Sequence, residues 1–290
     1  METWQAIVLG LVEGITEYLP VSSTGHLIIA GDLMKLDRPE TKQAFDAFSV
    51  IVQGGAILAV LLLYLPRFVQ MLKGLIGRDQ AGLRIFINIV VAFIPAALVG
   101  IALKKLIEAW LFHLWPVVFS LVLGGFYMIG VELWRRSRKP MQGGIEGKSV
   151  EDMKTGDALF VGLLQIFSLW PGTSRSMMTI TAGYFRGLKP GAAAEFSFLL
   201  GMPTLLAATL FTLYKDNADK TPGHEPMLKV LGAKPVLIGI AVAAVSAFIA
   251  VRWLVGFLNR HGLMAFGFYR IAIGAALLAL AIAGVVTVNK

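Results

Sequence analysis

Leu19-Pro20-Val21-Ser22-Ser23-Thr24-Gly25-His26 drives a polar string into a stretch that is otherwise apolar from about residue 4 to residue 31. The chain reads as a helix up to Leu19. Pro20 has no N–H with which to continue it, and apolar residues resume only after His26. Each half is shorter than the roughly 20 apolar residues a membrane-spanning helix needs. Irregular polar backbone at membrane depth is tolerated only inside protein or along a wet cavity, so the stretch reads as a re-entrant helical hairpin. A second stretch, about 158 to 186, behaves alike, running from Ala158 to Trp170 and breaking at Pro171-Gly172-Thr173-Ser174-Arg175-Ser176.

Six further stretches are long and apolar enough to span: about 45 to 64, 86 to 103, 115 to 134, 193 to 214, 236 to 257 and 265 to 288. The 290 residues are 57% hydrophobic and 15% charged, whereas about a quarter of a soluble domain is charged. A soluble enzyme is thereby excluded, and the expected class is an all-α polytopic membrane protein with six transmembrane helices and two re-entrant hairpins. The net charge of +8, from 26 Lys and Arg against 18 Asp and Glu, gathers in short connections such as Arg135, Arg136, Arg138 and Lys139. Such loops face anionic lipid, so membrane lipid and not nucleic acid is the expected partner. The absence of cysteine excludes disulfides, thiolate metal sites and cysteine nucleophiles. Met1-Glu2-Thr3-Trp4 lacks a basic n-region, and Glu13 and Glu17 interrupt the apolar stretch behind it, so a cleaved signal peptide is not expected.

The two broken stretches are related. A shift of 152 positions pairs Gly10 with Gly162, Leu11 with Leu163, Glu13 with Gln165, Ser22 with Ser174 and Thr24 with Ser176. A similar shift pairs Phe48-Ser49 with Phe196-Ser197, Ala59 with Ala207 and Ile101-Ala102 with Ile249-Ala250. One integral membrane domain, 1-290, therefore divides into repeat 1, about 1-134, a cytoplasmic linker, about 135-157, and repeat 2, about 158-290. Each repeat is one hairpin plus three spans. Three crossings are an odd number, so the second copy lies upside down, an inverted-topology repeat. The connections 66 to 84 and 135 to 157 carry the basic excess, which places them in the cytoplasm, although the opposite loop 215 to 234 also holds four lysines. The first hairpin then enters from the outer face and the second from the cytoplasmic face, and their polar tips can meet near the midplane.

Glu13 and Glu17 are one helical turn apart on one face, at a depth where ionisable groups are functional by default. Two like charges there repel, and a divalent cation between them, Mg²⁺ or Ca²⁺, relieves both the repulsion and the burial. The bland alternative is one protonated Glu hydrogen-bonded within the bundle. Ser22, Ser23, Thr24 and His26 follow within a turn, and His26 is a candidate general base or nucleophile. In the second break, Pro171-Gly172 is a turn and Ser174 an N-cap. Arg175 sits at the positive end of the next helix, and with Ser176 and Thr179 this makes a cradle for phosphate. Gln165, the counterpart of Glu13, retains an oxygen that can coordinate. The competing structural role for Arg175 is an ion pair with Glu13 or Glu17. His113, His224 and His261 fall in or beside loops, and Trp110, Trp115 and Trp134 near span ends read as interface anchors.

Glu13-Gly14-Ile15-Thr16-Glu17-Tyr18-Leu19-Pro20-Val21-Ser22-Ser23-Thr24-Gly25-His26 together with Trp170-Pro171-Gly172-Thr173-Ser174-Arg175-Ser176-Met177-Met178-Thr179 closely resembles the bacterial undecaprenyl-diphosphate phosphatase family, the bacitracin-resistance membrane phosphatases. The resemblance covers nearly the whole chain. It implies hydrolysis of a C55 isoprenoid diphosphate to the monophosphate carrier lipid of peptidoglycan synthesis, with a divalent cation required. By position, Glu13 and Glu17 match the acidic pair, Ser22, Ser23 and His26 the hydroxyl and imidazole groups, and Ser174, Arg175, Ser176 and Thr179 the phosphate loop. Met177-Met178 departs from the Gly-Ala of many relatives.

The expected protein is therefore a multi-pass enzyme of the bacterial cytoplasmic (inner) membrane, with a polyprenyl diphosphate lipid as substrate and its site opening to the outer, periplasmic face. Ser23, His26 and a metal-activated water all remain open as the attacking group, with Ser23 slightly preferred, and a homodimer is left open. The rival from another class is a lipid flippase or anion transporter built on the same inverted repeat. The acid-phosphatase-like lipid phosphatases fit poorly, since no histidine follows Arg175 closely.

Overall fold

A computed structural model describes residues 1–36, 38, 41–111, 114–137, 147–219 and 225–283. The described residues form thirteen α-helices and one short 3₁₀ turn: α1 (Thr3–Thr16), α2 (Ser23–Leu33), α3 (Lys42–Ile51), α4 (Gln53–Leu63), α5 (Leu65–Leu75), α6 (Gln80–Leu111), α7 (Leu114–Ser137), α8 (Thr155–Gln165), α9 (Arg175–Phe185), α10 (Pro190–Ala218), α11 (Met227–Leu231), α12 (Ala233–His261) and α13 (Met264–Ile282), with the 3₁₀ turn Ile166–Leu169 after α8.

Among the described residues, six helical segments are long and apolar enough to cross a bilayer: Lys42–Leu63, Gln80–Ile107, Leu114–Ser137, Pro190–Ala218, Ala233–His261 and Met264–Ile282. Each contains the core of a span expected from the sequence; the end of the last, 284–288, lies outside the described residues. Leu62, Leu98, Ile101, Phe126 and Ile249 point outward from these helices. An exterior that apolar suits lipid and not water. The chain is a multi-pass membrane protein.

The two interrupted stretches are helix, break, helix. Residues 17–22 separate α1 from α2, and 170–174 separate the 3₁₀ turn from α9. The open end of the first pair is tied by Gln5 Nε2, which donates to the Met34 carbonyl at 3.3 Å. That of the second is tied by Arg186 Nε, which donates to Asp157 Oδ1 at 2.7 Å. Gln5 and Asp157, and Met34 and Arg186, are both 152 apart. These ties lie at opposite ends of the bundle. Near the first, the Met1 amino group reaches the Leu231 carbonyl and the Met227 amide reaches Asp216. Near the second, Arg67 pairs with Glu151 and Glu195, and the Gly191 amide donates to Asn259.

Small residues let the backbones approach, as membrane helices require in the absence of a hydrophobic drive between them. A Cβ at Gly10 would overlap the Gly239 carbonyl of α12, and one at Gly162 would overlap the Ala92 carbonyl of α6. So α1 packs on the second long helix of the other half, and α8 does likewise. Gly125 and Gly267 bring α7 and α13 together in the same manner. The largest apolar cluster, including Tyr18, Phe198, Met177, Ile180, Leu199 and Leu200, surrounds both breaks.

Two features differ from the sequence reading. The connection 66 to 84 contains α5, whose Leu65, Val69, Leu72 and Leu75 are exposed, an apolar face suited to the bilayer interface. The linker is in part a packed strap: Val150 and Met153 are buried, Asn88 Nδ2 donates to the Met153 carbonyl at 3.0 Å, and Lys148 Nζ donates to Asp157 at 2.8 Å. Arg138 and Lys139 lie outside the described residues.

Candidate active site

Both breaks reach their second helix through the same strained residue. Ser22, the N-cap of α2, has φ +74°, and Ser174, the N-cap of α9, has φ +72°. A left-handed conformation in a residue other than glycine costs on the order of 1–3 kcal/mol and persists only where the surroundings impose it. Each hydroxyl accepts from an amide of the first turn: Ser22 Oγ from Gly25 at 3.4 Å, Ser174 Oγ from Met177 at 3.3 Å. The N-cap expected at Ser174 is there. The helix starts so formed direct their positive ends at the space between the breaks.

The two breaks touch. Arg175 Nη2 donates to Glu17 Oε1 at 2.9 Å, and Ser23 Oγ donates to Glu17 Oε2 at 2.6 Å. Ser176 Oγ donates to the Leu19 carbonyl at 2.9 Å. Arg175 Nη1 meets the Ser197 carbonyl of α10 at 2.9 Å, and its guanidinium lies over the Tyr18 ring. Thus Glu17, Ser23 and Arg175, residues from both halves of the chain, form one connected group. The Glu17 and Arg175 side chains are only 7% and 9% exposed, so the ion pair that competes as Arg175's structural role does exist. Both Glu17 oxygens accept, and the bond from Ser23 is the shorter of the two.

Glu13 is wholly buried and neither of its carboxylate oxygens has a hydrogen-bond partner; the Tyr18 hydroxyl and Arg175 Nε are likewise buried and unpartnered. Unsatisfied groups of this kind demand an explanation. Two carboxylates one turn apart, one with both oxygens unused, are hard oxygen donors of the sort that suit Mg²⁺ or Ca²⁺. Among the described residues no three His, Cys, Asp or Glu converge on a metal position, so the protein would contribute Glu13 and Glu17 alone.

The other expected site residues fall around this group with their hydroxyls largely committed. Ser174 Oγ and Ser176 Oγ are 3.0 Å apart. Thr179 Oγ1 donates to the Arg175 carbonyl at 2.9 Å and lies 2.6 Å from Ser197 Oγ. Thr24 is half-buried at the start of α2. Gln165 is completely buried and its amide has no partner. His26 is turned away from Ser23 and Glu17. Its Nδ1 is 2.7 Å from the Ser22 carbonyl and its Nε2 2.7 Å from the Tyr269 hydroxyl of α13. His261 is exposed and lies against Phe257; His113 and His224 lie outside the described residues.

Arg270 was not among the expected site residues. It is completely buried on α13. Nη2 donates to the Ser120 carbonyl at 2.9 Å and the Gly172 carbonyl at 2.8 Å, and Nη1 reaches the Pro20 carbonyl at 3.5 Å. One guanidinium therefore spans both breaks and α7. Both buried arginines lie against a glycine: a Cβ at Gly124 would overlap Arg270, and one at Gly201 would overlap Arg175. The available signal was the charge itself, an arginine inside the stretch 265 to 288.

A family model described as Bacitracin resistance protein BacA matches residues 6–276. The chain is 44% identical over 277 residues to an undecaprenyl-diphosphatase of Sorangium cellulosum, covering 95% of this chain and 85% of that one. It is 43% identical over 284 residues to undecaprenyl-diphosphatase 2 of Rhodospirillum rubrum, covering 98% and 96%. It is 43% identical over 281 residues to an undecaprenyl-diphosphatase of Methylococcus capsulatus, covering 97% and 96%. The matched residues take in both breaks together with Glu17, Ser23, Arg175 and Arg270, and the chain belongs to the bacitracin resistance protein BacA family.

Proposed function

We infer that this protein is an undecaprenyl-diphosphatase, which hydrolyses undecaprenyl diphosphate to undecaprenyl phosphate and inorganic phosphate. The observation that carries this is the Ser23–Glu17–Arg175 group at the meeting of the two breaks. Glu17 holds the Ser23 hydroxyl as a general base holds a nucleophile, and Arg175 brings a planar fork able to bind two phosphoryl oxygens. Ser23 Oγ attacks the terminal phosphorus as Glu17 takes its proton. The bond from phosphorus to the bridging oxygen breaks, and undecaprenyl phosphate leaves. Water then cleaves the phosphoserine, returning the proton to Ser23 and releasing phosphate. Substrate phosphate competes with Glu17 for Arg175, which frees the carboxylate to act as base. A divalent cation held by Glu13 and Glu17 would supply positive charge to the phosphoryl oxygens.

The site is expected in the bacterial inner membrane and open to the periplasmic face, with 66 to 84 and the linker in the cytoplasm. The hairpins would then be re-entrant and the halves inverted repeats; the ties 152 positions apart and the exchanged packing of α1 and α8 support that reading. The prenyl tail would lie among apolar spans. The product would re-enter peptidoglycan synthesis as carrier lipid, and its turnover would give bacitracin resistance. A carrier has no need of a serine hydrogen-bonded to a carboxylate. Purified protein in detergent should release phosphate from undecaprenyl diphosphate, stop with chelator and lose activity in Ser23→Ala. Uptake by proteoliposomes without hydrolysis would point instead to transport.

A further inference from the structure

We propose that Tyr269 is a positioning residue for His26, holding its Nε2 through both protonation states while the Ser22 carbonyl sets the tautomer; the proposal deepens the phosphatase reading and rests on it. His26 Nδ1 faces the Ser22 carbonyl at 2.7 Å. A carbonyl only accepts, so Nδ1 carries the hydrogen, and in the neutral ring Nε2 is left with its lone pair. That lone pair meets the Tyr269 hydroxyl at 2.7 Å, and the two rings lie in parallel planes, 1° apart. The phenol O–H therefore donates to neutral His26.

The choice of tyrosine is informative. A hydroxyl can rotate, donating to a neutral imidazole and accepting from the Nε2–H of an imidazolium. A backbone carbonyl or a carboxylate at this place would favour the protonated ring alone. Tyr269 thus suits a histidine able either to hold a proton or to release it. Its location fits: His26 is three residues after Ser23 on α2, hence on a neighbouring face, and Tyr269 is 42% exposed, which puts the pair at the edge of the otherwise buried group. The charged neighbour on the element packed here is Arg270, which follows Tyr269 on α13 and directs its donors to the carbonyls of Ser120, Gly172 and Pro20. α2 brings Ser22 and no charged side chain to the ring. Exposure of Tyr269 to the outside also means that Tyr269→Phe removes one oxygen at the edge of the fold and leaves its interior intact.

The test combines a spectrum with kinetics. In ¹⁵N-histidine-labelled protein in detergent, with the His26 signals assigned by their loss in His26→Gln, neutral His26 should appear as the Nδ1–H tautomer. Tyr269→Phe should keep that tautomer, which the Ser22 carbonyl sets, but shift the Nε2 signal and change its titration. The same variant should lower kcat for undecaprenyl diphosphate between about ten- and a hundredfold with little change in KM, and in a His26→Gln background it should cost nothing more. The Nε2–H tautomer in the unmodified protein, a wild-type rate in either single variant, or losses that multiply in the double variant would each overturn the proposal. A protein that shows the expected spectrum but releases no phosphate under any condition would instead sink the phosphatase reading, since the spectrum does not depend on turnover.

Discussion

Ser23 donates to one oxygen of Glu17 at 2.6 Å while Arg175, from the other half of the chain, donates to the second oxygen at 2.9 Å. The carboxylate is thus shared between a hydroxyl of its own break and a cation of the other. Two substitutions separate these duties. Glu17→Gln keeps the shape but can neither take a proton nor balance Arg175, and turnover should fall by on the order of 10²–10⁴. Thermal stability should also drop, because a buried cation is left unpaired. Ser23→Ala should abolish phosphate release to a similar extent while leaving the ion pair and the melting temperature nearly unchanged. Equal losses of stability in the two variants would show that Ser23 is a structural ligand of Glu17.

Arg175→Lys conserves charge and should still be severely impaired. An ammonium can satisfy Glu17 or the Ser197 carbonyl, but it cannot present two parallel N–H groups to phosphate. Loss of such a contact in the transition state costs about 3 kcal/mol, or roughly a hundredfold in kcat. Near-normal activity in the lysine variant would make Arg175 a counter-ion to Glu17 and nothing more.

No N–H or hydroxyl donor holds Glu13, so Glu13→Gln should alter the metal requirement more than the fold. We expect the Mg²⁺ or Ca²⁺ concentration for half-maximal activity to rise at least tenfold, with activity recovering at saturating metal, since an amide oxygen still coordinates. An unchanged metal response would remove Glu13 from the ligand set.

Local sequence carried the framework of this site and not its bracing. The breaks at Pro20 and Pro171 were legible because a run of hydroxyl residues beside each proline leaves irregular polar backbone that lipid cannot satisfy, and the meeting of Glu17 with Arg175 came from pairing the two breaks. The direction of His26 was not legible: helical spacing allowed it to face Ser23, and it faces Tyr269, a residue 243 positions away. Arg270 escapes a local reading for a related reason. An arginine five residues into an apolar stretch resembles a span-end charge until the fold shows that it reaches Pro20, Ser120 and Gly172 at once. The strap 147–153 looked like an ordinary polar linker because its anchors, Asn88 and Arg67, belong to other segments.

The glycines that bound the arginines allow a test that leaves every polar group in place. Gly201 has no room for a Cβ because the Arg175 guanidinium occupies that position, whereas Gly54 of α4 has nothing within 4 Å of where a Cβ would stand. Both sit inside helices, where Ala is favoured over Gly by roughly 0.5–1 kcal/mol. Gly54→Ala should therefore raise the melting temperature slightly and leave kcat alone. Gly201→Ala has the same gain in helix propensity but must push Arg175 off Glu17 or move α10, at a cost of about 1–3 kcal/mol for overpacking. We expect kcat to fall by at least tenfold, because a displaced guanidinium no longer lines up with the phosphoryl oxygens. Gly124→Ala should act in the same way through Arg270, loosening the hold on both breaks and so lowering stability as well as activity. Wild-type kcat in Gly201→Ala would show that the exact placement of Arg175 is unimportant, and that its contribution is long-range charge.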